Sequence, residues 1–226
     1  DGAPMLPGFG KEQISLGSAP DNDVVLQGPG VAPRHARLVK QGPNVMFIDN
    51  GAAPSFANGA PVAPNQPVPF DFRTQFSLGQ VPVPLSHPAI VMMIMARGQA
   101  SGPPGHILVG REPSTSSLVI GSSAVSGAHA TVMMDRMMVQ DSGSTSGTYV
   151  GGQRIPPNTP VPLDPNGVVA FGPVPVPVSL LGQIAQALSG GAPAVQAGPG
   201  GPAAHAPGAP QGGAPRKHRT GIGALN

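Results

Sequence analysis

The stretch Pro64-Asn-Gln-Pro-Val-Pro69 occurs a second time as Pro157-Asn-Thr-Pro-Val-Pro162, at an offset of 93 residues. The segment Leu78–Pro84 returns at the same offset as Phe171–Pro177, and both copies end in Val-Pro-Val-Pro. Separate landmarks that recur in one order and at one offset indicate a duplicated unit. A unit of this length is the size of a domain and is too long for a solenoid repeat, which spans roughly 20–45 residues.

Two further landmarks extend the duplication toward the start of the chain. Gly17 corresponds to Gly110 at the same offset, and His35 corresponds to His129 at an offset of 94 residues. We therefore predict two tandem domains followed by a C-terminal segment. The predicted boundaries are residues 1–86, 87–180 and 181–226.

Short apolar runs separated by turn residues indicate that each unit is made of β-strands. In the second unit, Ala89–Met95 and His106–Gly110 are runs of strand length, and Ala130–Met134 and Met137–Gln140 flank a predicted tight turn at 135–136. Because alternate prolines cannot donate ladder hydrogen bonds, we place Val-Pro-Val-Pro on an edge strand. The pattern predicts an all-β fold of two β-sandwiches.

The composition excludes several classes of protein. The chain has no cysteine, which rules out disulfides and thiolate zinc sites and is compatible with the cytoplasmic location that we expect. The formal net charge is only +2, and no basic stripe with interleaved aromatic residues indicates nucleic-acid binding. No apolar run reaches the roughly 18 residues that span a membrane. Methionine pairs can be read as copper ligands but are more typical of core side chains, so no metal or cofactor is predicted.

Three blocks in the second unit carry the candidate binding residues. They are Gly110-Arg111, Ser126–His129 and Asp141–Tyr149. Their order and spacing resemble the signature of the forkhead-associated (FHA) domain family, which reads Gly-Arg, Ser-x-x-His and Ser-x-Asn-Gly-Thr. The resemblance implies loops at one end of a β-sandwich that together bind a phosphothreonine peptide.

The resemblance also implies a role for each residue. Those implied to contact the phosphate or the peptide are Arg111, Ser126, Thr145 and Ser146, and those implied to be structural are Gly110, His129 and Gly147. His129 would be a buried strut bonded to loop backbone. The side-chain chemistry agrees, because an arginine presents parallel N–H donors to a phosphate and short hydroxyls add neutral donors.

Each of these residues also has a simpler interpretation. Arg111 can form a surface ion pair with its neighbour Glu112, and residues 144–146 are common turn formers. Asp141 is typical of a turn or capping residue rather than an acid catalyst. Ser146 departs from the family pattern, in which an asparagine clasps the peptide main chain. A serine hydroxyl offers fewer hydrogen bonds, so we expect binding weaker by about 0.5–1.5 kcal/mol but not abolished.

The first unit lacks most of this set. The substituted positions are Ser18 in place of Arg111 and Ala32 in place of Ser126. The loop Asp49–Phe56 has no Thr-Ser-Gly-Thr run and is about one residue shorter. Because His35 is retained, we predict a degenerate FHA fold used for packing or docking, with Arg34 as a candidate replacement cation.

The last segment has a different composition. Residues 179–188 place their large apolar side chains on one helical face, which predicts a short helix that Gly190 would end. Residues 189–215, rich in Gly, Pro and Ala, are predicted to be a flexible linker. The basic segment 216–226 suits a docking motif for a partner, although a solubilising tail explains it equally well. Thr220 within it is a candidate phosphorylation site that could enter the second domain's own site.

The sequence thus predicts a non-enzymatic adaptor whose second domain binds a phosphothreonine peptide made by a Ser/Thr protein kinase. A phosphate-independent scaffold or docking protein is the alternative, and Ser146 and the altered first unit favour it. No Gly-x-Ser-x-Gly, P-loop or histidine pair at ligand spacing indicates an enzyme. The predicted partner is a phosphorylated protein, without nucleic acid, membrane span or cofactor.

Overall fold

The computed structural model describes residues 11–42 and 44–189, in which two similar strand arrangements follow each other along the chain. The predicted tandem all-β architecture is confirmed by this duplication of sheets. The helix-ending Gly190, the predicted linker, the basic segment 216–226 and Thr220 lie outside the described residues.

The described strands of the first repeat form two sheets. The strands are β1 (Gln13–Gly17), β2 (Val24–Val25), β3 (Ala36–Gln41), β4 (Asn44–Asp49), β5 (Ser55–Ala57), β6 (Ala60–Pro61), β7 (Pro67–Phe70), β8 (Phe76–Leu78) and β9 (Val81–Pro82). One sheet has the order β2-β1-β3-β4-β7, and the other has the order β6-β5-β8-β9. Phe47 of one sheet stacks on Phe76 of the other with ring centroids 4.7 Å apart, so the sheets face each other across a shared core.

The second repeat has the same sheet orders with one strand added at an edge. Its elements are α1 (Pro88–Met93), β10 (Met95–Arg97), β11 (His106–Gly110), β12 (Leu118–Ile120), β13 (Ala130–Met133), β14 (Met138–Asp141), β15 (Thr148–Val150), β16 (Gln153–Arg154), β17 (Val161–Pro162), β18 (Val168–Phe171), β19 (Val174–Pro177) and α2 (Val178–Leu188). The orders are β10-β12-β11-β13-β14-β17 and β16-β15-β18-β19. Within the described part of the chain, β10 is the one strand that the second repeat adds to the pattern of the first.

Both Val-Pro-Val-Pro segments lie at sheet edges, as predicted. Among the strands that the structure describes, β9 pairs only with β8, and β19 pairs only with β18. Each segment therefore needs backbone hydrogen bonds on one side only, which proline at alternate positions permits.

The prediction of a strand over Ala89–Met95 is wrong, because residues 88–93 form α1 and only the end of the run enters β10. An apolar run without alternation does not distinguish a buried strand from a buried helix. The local signals favour the helix, since the His87 ring accepts a hydrogen bond from the Ala89 N–H at 3.3 Å and Pro88 lies in the first turn. α1 packs against both β1 of the first repeat and β19 of the second, within one apolar core cluster.

The predicted tight turn at 135–136 is longer than expected. The register pairs Met133 with Met138, which leaves a four-residue turn at 134–137. Met137 has a φ of +50°, a left-handed conformation that closes the turn. This turn follows the C-terminal end of β13, whereas His129 lies just before the N-terminal end of the same strand.

The predicted C-terminal helix is present as α2. Its buried side chains include Leu180, Leu181 and Ile184, which lie on the face toward the second sandwich, and α2 contacts β19. No helix among the described residues is long and apolar enough to cross a membrane.

Candidate functional site

The three sequence blocks meet at one end of the second repeat. Arg111 follows β11, Ser126 lies just before β13, and Thr145 lies just before β15. The Arg111 backbone N–H donates to the Ser126 carbonyl oxygen at 2.9 Å, and the Thr145 backbone N–H donates to the Ser126 Oγ at 3.1 Å. Ser126 therefore ties the other two blocks together.

These bonds leave hydrogen-bond donors facing outward. The Ser126 Oγ accepts from Thr145, so its own hydrogen is still available for donation to a ligand. Arg111 and Thr145 are exposed. The ion pair of Arg111 with Glu112 is not found among the described residues, and Glu112 instead accepts a hydrogen bond from Ser114 at 3.2 Å. A guanidinium and two hydroxyls at one surface suit a phosphate.

His129 is a buried connector between two loops. It is 0% exposed, and its Nδ1 accepts from the Ser126 backbone N–H at 3.1 Å. An Nδ1 that accepts carries no proton, so Nε2 bears the hydrogen and donates it to the Gly147 carbonyl oxygen at 3.2 Å. Burial lowers the pKa of His129, although the bond to Gly147 and the nearby Asp141 oppose the shift. The neutral ring is thus the form that holds Ser126 and Gly147 in place.

Asp141 shapes the loop that carries Thr145. One carboxylate oxygen accepts from the Gly143 and Ser144 backbone N–H groups, both at 2.8 Å. The other accepts from the hydroxyls of Ser144 at 2.6 Å and Thr148 at 2.7 Å. Burial opposes ionisation of this carboxyl, but the four hydrogen bonds hold its pKa below the ordinary value of 3.8. The group is saturated by the loop, which fits a turn-forming residue.

Two glycines are required at the site, one by a close backbone contact and the other by its backbone conformation. A Cβ built on Gly110 would overlap the Gly127 carbonyl oxygen, so a side chain there would push the Arg111 and Ser126 loops apart. Gly147 has a φ of +79°, which an L side chain adopts only with strain. Both positions therefore depend on glycine.

Three contributors to the site were missed by the sequence reasoning. Thr148 bonds Asp141, the Tyr149 hydroxyl donates to the Ser146 carbonyl oxygen at 3.2 Å, and the Arg154 side chain lies against Gly147. The duplication contained a signal for the first of them. Asp49 and Ser55 in the first repeat form the same carboxylate–hydroxyl pair as Asp141 and Thr148.

At the corresponding end of the first repeat, the described residues form no comparable donor set. Ser18 and Ala32 join their loops by the equivalent backbone bond, from the Ser18 N–H to the Ala32 carbonyl oxygen at 3.0 Å. Arg34, the candidate replacement cation, is exposed and pairs with Asp21. Its charge is therefore already partly neutralised.

The described residues thus form a tandem pair of β-sandwiches, and the second carries a set of hydrogen-bond donors on its loops. The sequence profile of the FHA domain matches residues 14–79 and 107–172, which is more than half of the chain. The chain belongs to the FHA domain family. FHA domains are phosphothreonine-peptide-binding modules and are generally non-enzymatic. No curated protein matches the chain in a sequence comparison.

Solved structures of FHA domains are similar to parts of the chain. An engineered FHA domain with a Myc-pTBD peptide is 17% identical, covers 33% of this chain and 59% of its own, and has a TM-score of 0.28. The N-terminal FHA domain of Rad53p from S. cerevisiae, in complex with a phosphothreonine peptide, is 17% identical, covers 34% of this chain and 62% of its own, and has a TM-score of 0.29. The FHA domain of CT664 from Chlamydia trachomatis is 28% identical, with coverages of 32% and 73% and a TM-score of 0.28. The chain thus spans less than two thirds of the first two structures.

Proposed function

We propose that the chain is a non-enzymatic adaptor whose second FHA domain binds phosphothreonine peptides. The observation that carries this proposal is the position of Ser126, which bonds the loops of Arg111 and Thr145 while keeping its own hydroxyl hydrogen available. Family membership supports the ligand class, and the donor set supports the choice of the second domain.

The proposed contacts follow from the chemistry of the side chains. Arg111 supplies a charged fork to the dianionic phosphate, and Ser126 and Thr145 supply hydroxyl donors beside it. Ser146 faces the peptide main chain with a single hydroxyl. The loops are already joined by hydrogen bonds without the ligand, so little ordering entropy has to be lost on binding.

For the first domain we propose docking that does not depend on phosphate. Ser18 and Ala32 replace the clamp residues, and Arg34 is engaged by Asp21. In this arrangement the first domain contacts a partner, or supports the second domain, while the second domain reads the phosphorylated residue.

The test is a titration of the whole chain with a degenerate phosphothreonine peptide library, run beside the unphosphorylated library. We expect saturable binding of the phosphorylated library only. A phosphoserine library serves as a control for non-specific attraction by charge. Equal binding of the phosphorylated and unphosphorylated libraries would contradict the proposal and favour the scaffold alternative.

A further inference from the structure

A second exposed arginine lies beside the loop that carries Thr145. Arg154 in β16 pairs with Tyr149 in β15, whose hydroxyl donates to the Ser146 carbonyl oxygen at 3.2 Å. A Cβ built on Gly147 would lie 3.0 Å from the Arg154 Cδ and 3.1 Å from its Cζ. The guanidinium therefore rests directly against the backbone of the loop, two residues from Thr145.

The charge of Arg154 is not matched within the described residues. Its side chain is exposed and takes part in no ion pair there. The carboxylate that shapes the adjacent loop, Asp141, is 3% exposed and already accepts four hydrogen bonds. An unmatched cation at the margin of a peptide site favours an acidic group in the ligand.

The duplication argues that the fold itself does not need this arginine. The first repeat has Pro61 at the equivalent position in β6, paired with Phe56 of β5. The β5–β6 hairpin forms the same two residue pairs as the β15–β16 hairpin, without an arginine. The first repeat has also lost the other cation, with Ser18 in place of Arg111. The two positive charges are therefore present together in one repeat and absent together from the other.

We propose that Arg154 is a specificity residue that selects phosphothreonine peptides carrying an acidic side chain within four residues of the phosphothreonine. The inference rests on the proposed function of the second domain. The spacing follows from the chain geometry, because Thr145 and Gly147 can be at most about 7 Å apart between Cα atoms. With the guanidinium against Gly147, the second charge lies within about 12 Å of the phosphate subsite, and an extended peptide that advances about 3.3 Å per residue covers this distance in up to about four residues.

The experiment uses the whole chain and synthetic phosphothreonine peptides with a neutral background. A single Asp is moved through the four positions on each side of the phosphothreonine, and each peptide has an unphosphorylated twin. Three proteins are compared: the unaltered chain, Arg154→Gln and Arg136→Gln. Arg136 is the control, since it is also an exposed arginine but pairs with Asp135 in the 134–137 turn at the opposite end of the sandwich. Arg154→Lys tests whether charge alone is sufficient.

We expect one or two Asp positions to raise the affinity of the unaltered chain about two- to fivefold at low salt, as for an exposed ion pair. Arg154→Gln should remove this preference and leave the phosphate dependence, whereas Arg136→Gln should keep both. Arg154→Lys should retain part of the preference.

Two results would overturn the inference while leaving the proposed function intact. The first is phosphate-dependent binding by the unaltered chain without any Asp preference. The second is an equal loss of affinity for every peptide in Arg154→Gln, because such a loss would mean that the contact of Arg154 with Gly147 is purely structural. Absence of phosphate-dependent binding in the unaltered chain would overturn the proposed function and this inference together.

Discussion

The two repeats share their sheet order but differ in how the loops at one end are joined. In the second repeat His129 connects two loops, because one ring nitrogen bonds Ser126 and the other bonds Gly147. In the first repeat His35 is equally buried and accepts from the Ala32 backbone N–H at 3.1 Å. Its Nε2 has no hydrogen-bond partner among the described residues and lies 3.9 Å from the Asp49 carboxylate. The histidine therefore joins two loops through both ring nitrogens in the second repeat, but bonds one loop through a single ring nitrogen in the first.

The length of one loop explains this difference. Six residues separate Asp141 from Thr148, but only five separate Asp49 from Ser55. In addition, Pro54 stands at the position of Gly147 and cannot adopt its φ of +79°. The bonds that hold the sandwich together survive these changes.

One backbone hydrogen bond from this loop to the glycine that follows the neighbouring strand is present in both repeats. The Pro54 carbonyl oxygen accepts from the Gly79 N–H at 2.9 Å, as the Gly147 carbonyl oxygen accepts from the Gly172 N–H at 2.8 Å. The comparison teaches that the bonds supporting the fold are kept in both copies, while those that preorganise the candidate site are confined to the second.

The largest difference should appear when each histidine is removed. His129→Ala should lower the free energy of unfolding by about 3 kcal/mol, because it opens a cavity and leaves the Ser126 N–H and the Gly147 carbonyl without a partner. His35→Ala loses one hydrogen bond fewer, so its cost should be about 1 kcal/mol smaller. Urea unfolding of the whole chain measures both. Equal costs would mean that the second bond of His129 contributes nothing.

The second difference concerns the cations of the two repeats. Arg111→Ala should weaken phosphopeptide binding by about 1.5–3 kcal/mol, or roughly ten- to a hundredfold, since a charge-assisted fork is lost. Stability should change little because Arg111 is exposed. Arg34→Ala is the matched variant in the first repeat and should leave binding unchanged. Isothermal titration with one phosphothreonine peptide measures both, and a loss confined to Arg34→Ala would move the site to the first domain.

The third difference is a response to acid. Because burial lowers the pKa of His129 below its ordinary value of 6.5, the unfolded chain takes up a proton before the folded chain does. The stability that neutral His129 contributes is therefore complete above pH 6.5 and is lost as the pH falls from there through the folded pKa. Protonated Nδ1 would also oppose the Ser126 N–H, so the loop bond should break.

The measurement is the unfolding midpoint between about pH 7 and pH 5. His129→Gln should flatten this profile. Burial also lowers the pKa of His87 at the start of α1, so His87→Gln should flatten the profile too and separates its contribution from that of His129. Stability is a better readout than binding here, because the phosphate of a ligand itself titrates near about pH 6. A profile that His129→Gln leaves unchanged would show that the ring does not titrate in this range.

The sequence predicted the duplication, the edge position of Val-Pro-Val-Pro and the tandem sandwiches. A repeat is visible in the sequence itself, and a proline restricts the hydrogen bonds of its own strand whatever the tertiary contacts are. It did not predict α1, because an apolar run such as 89–95 is compatible with both a buried strand and a buried helix. The hydrogen bond from the Ala89 N–H to the His87 ring favours the helix. The contact of Arg154 with Gly147 was also not predictable, because it depends on the hairpin that brings β16 beside the loop. Motif spacing predicted the candidate residues, and the packed loops show which of them contact one another.

The smallest expected effect concerns Ser146, where the two repeats and the family all differ. Ser146 is half-buried, and Gly172 is packed so closely that a Cβ built on it would lie 3.0 Å from the Ser146 Cβ. The first repeat has Ala53 at this position and so offers no side-chain hydrogen bond at all.

Asparagine adds a donor pair and a carbonyl that can reach the peptide main chain, so Ser146→Asn should tighten phosphopeptide binding by about 0.5–1.5 kcal/mol, or roughly two- to tenfold. Ser146→Ala is the matched control and should weaken binding by a similar or smaller amount. Titration of the three proteins with one peptide decides between two geometries: an increase for asparagine means that the main-chain clasp is in the family position, whereas a decrease for both variants means that the loop is shaped around the serine by Gly172 and Tyr149.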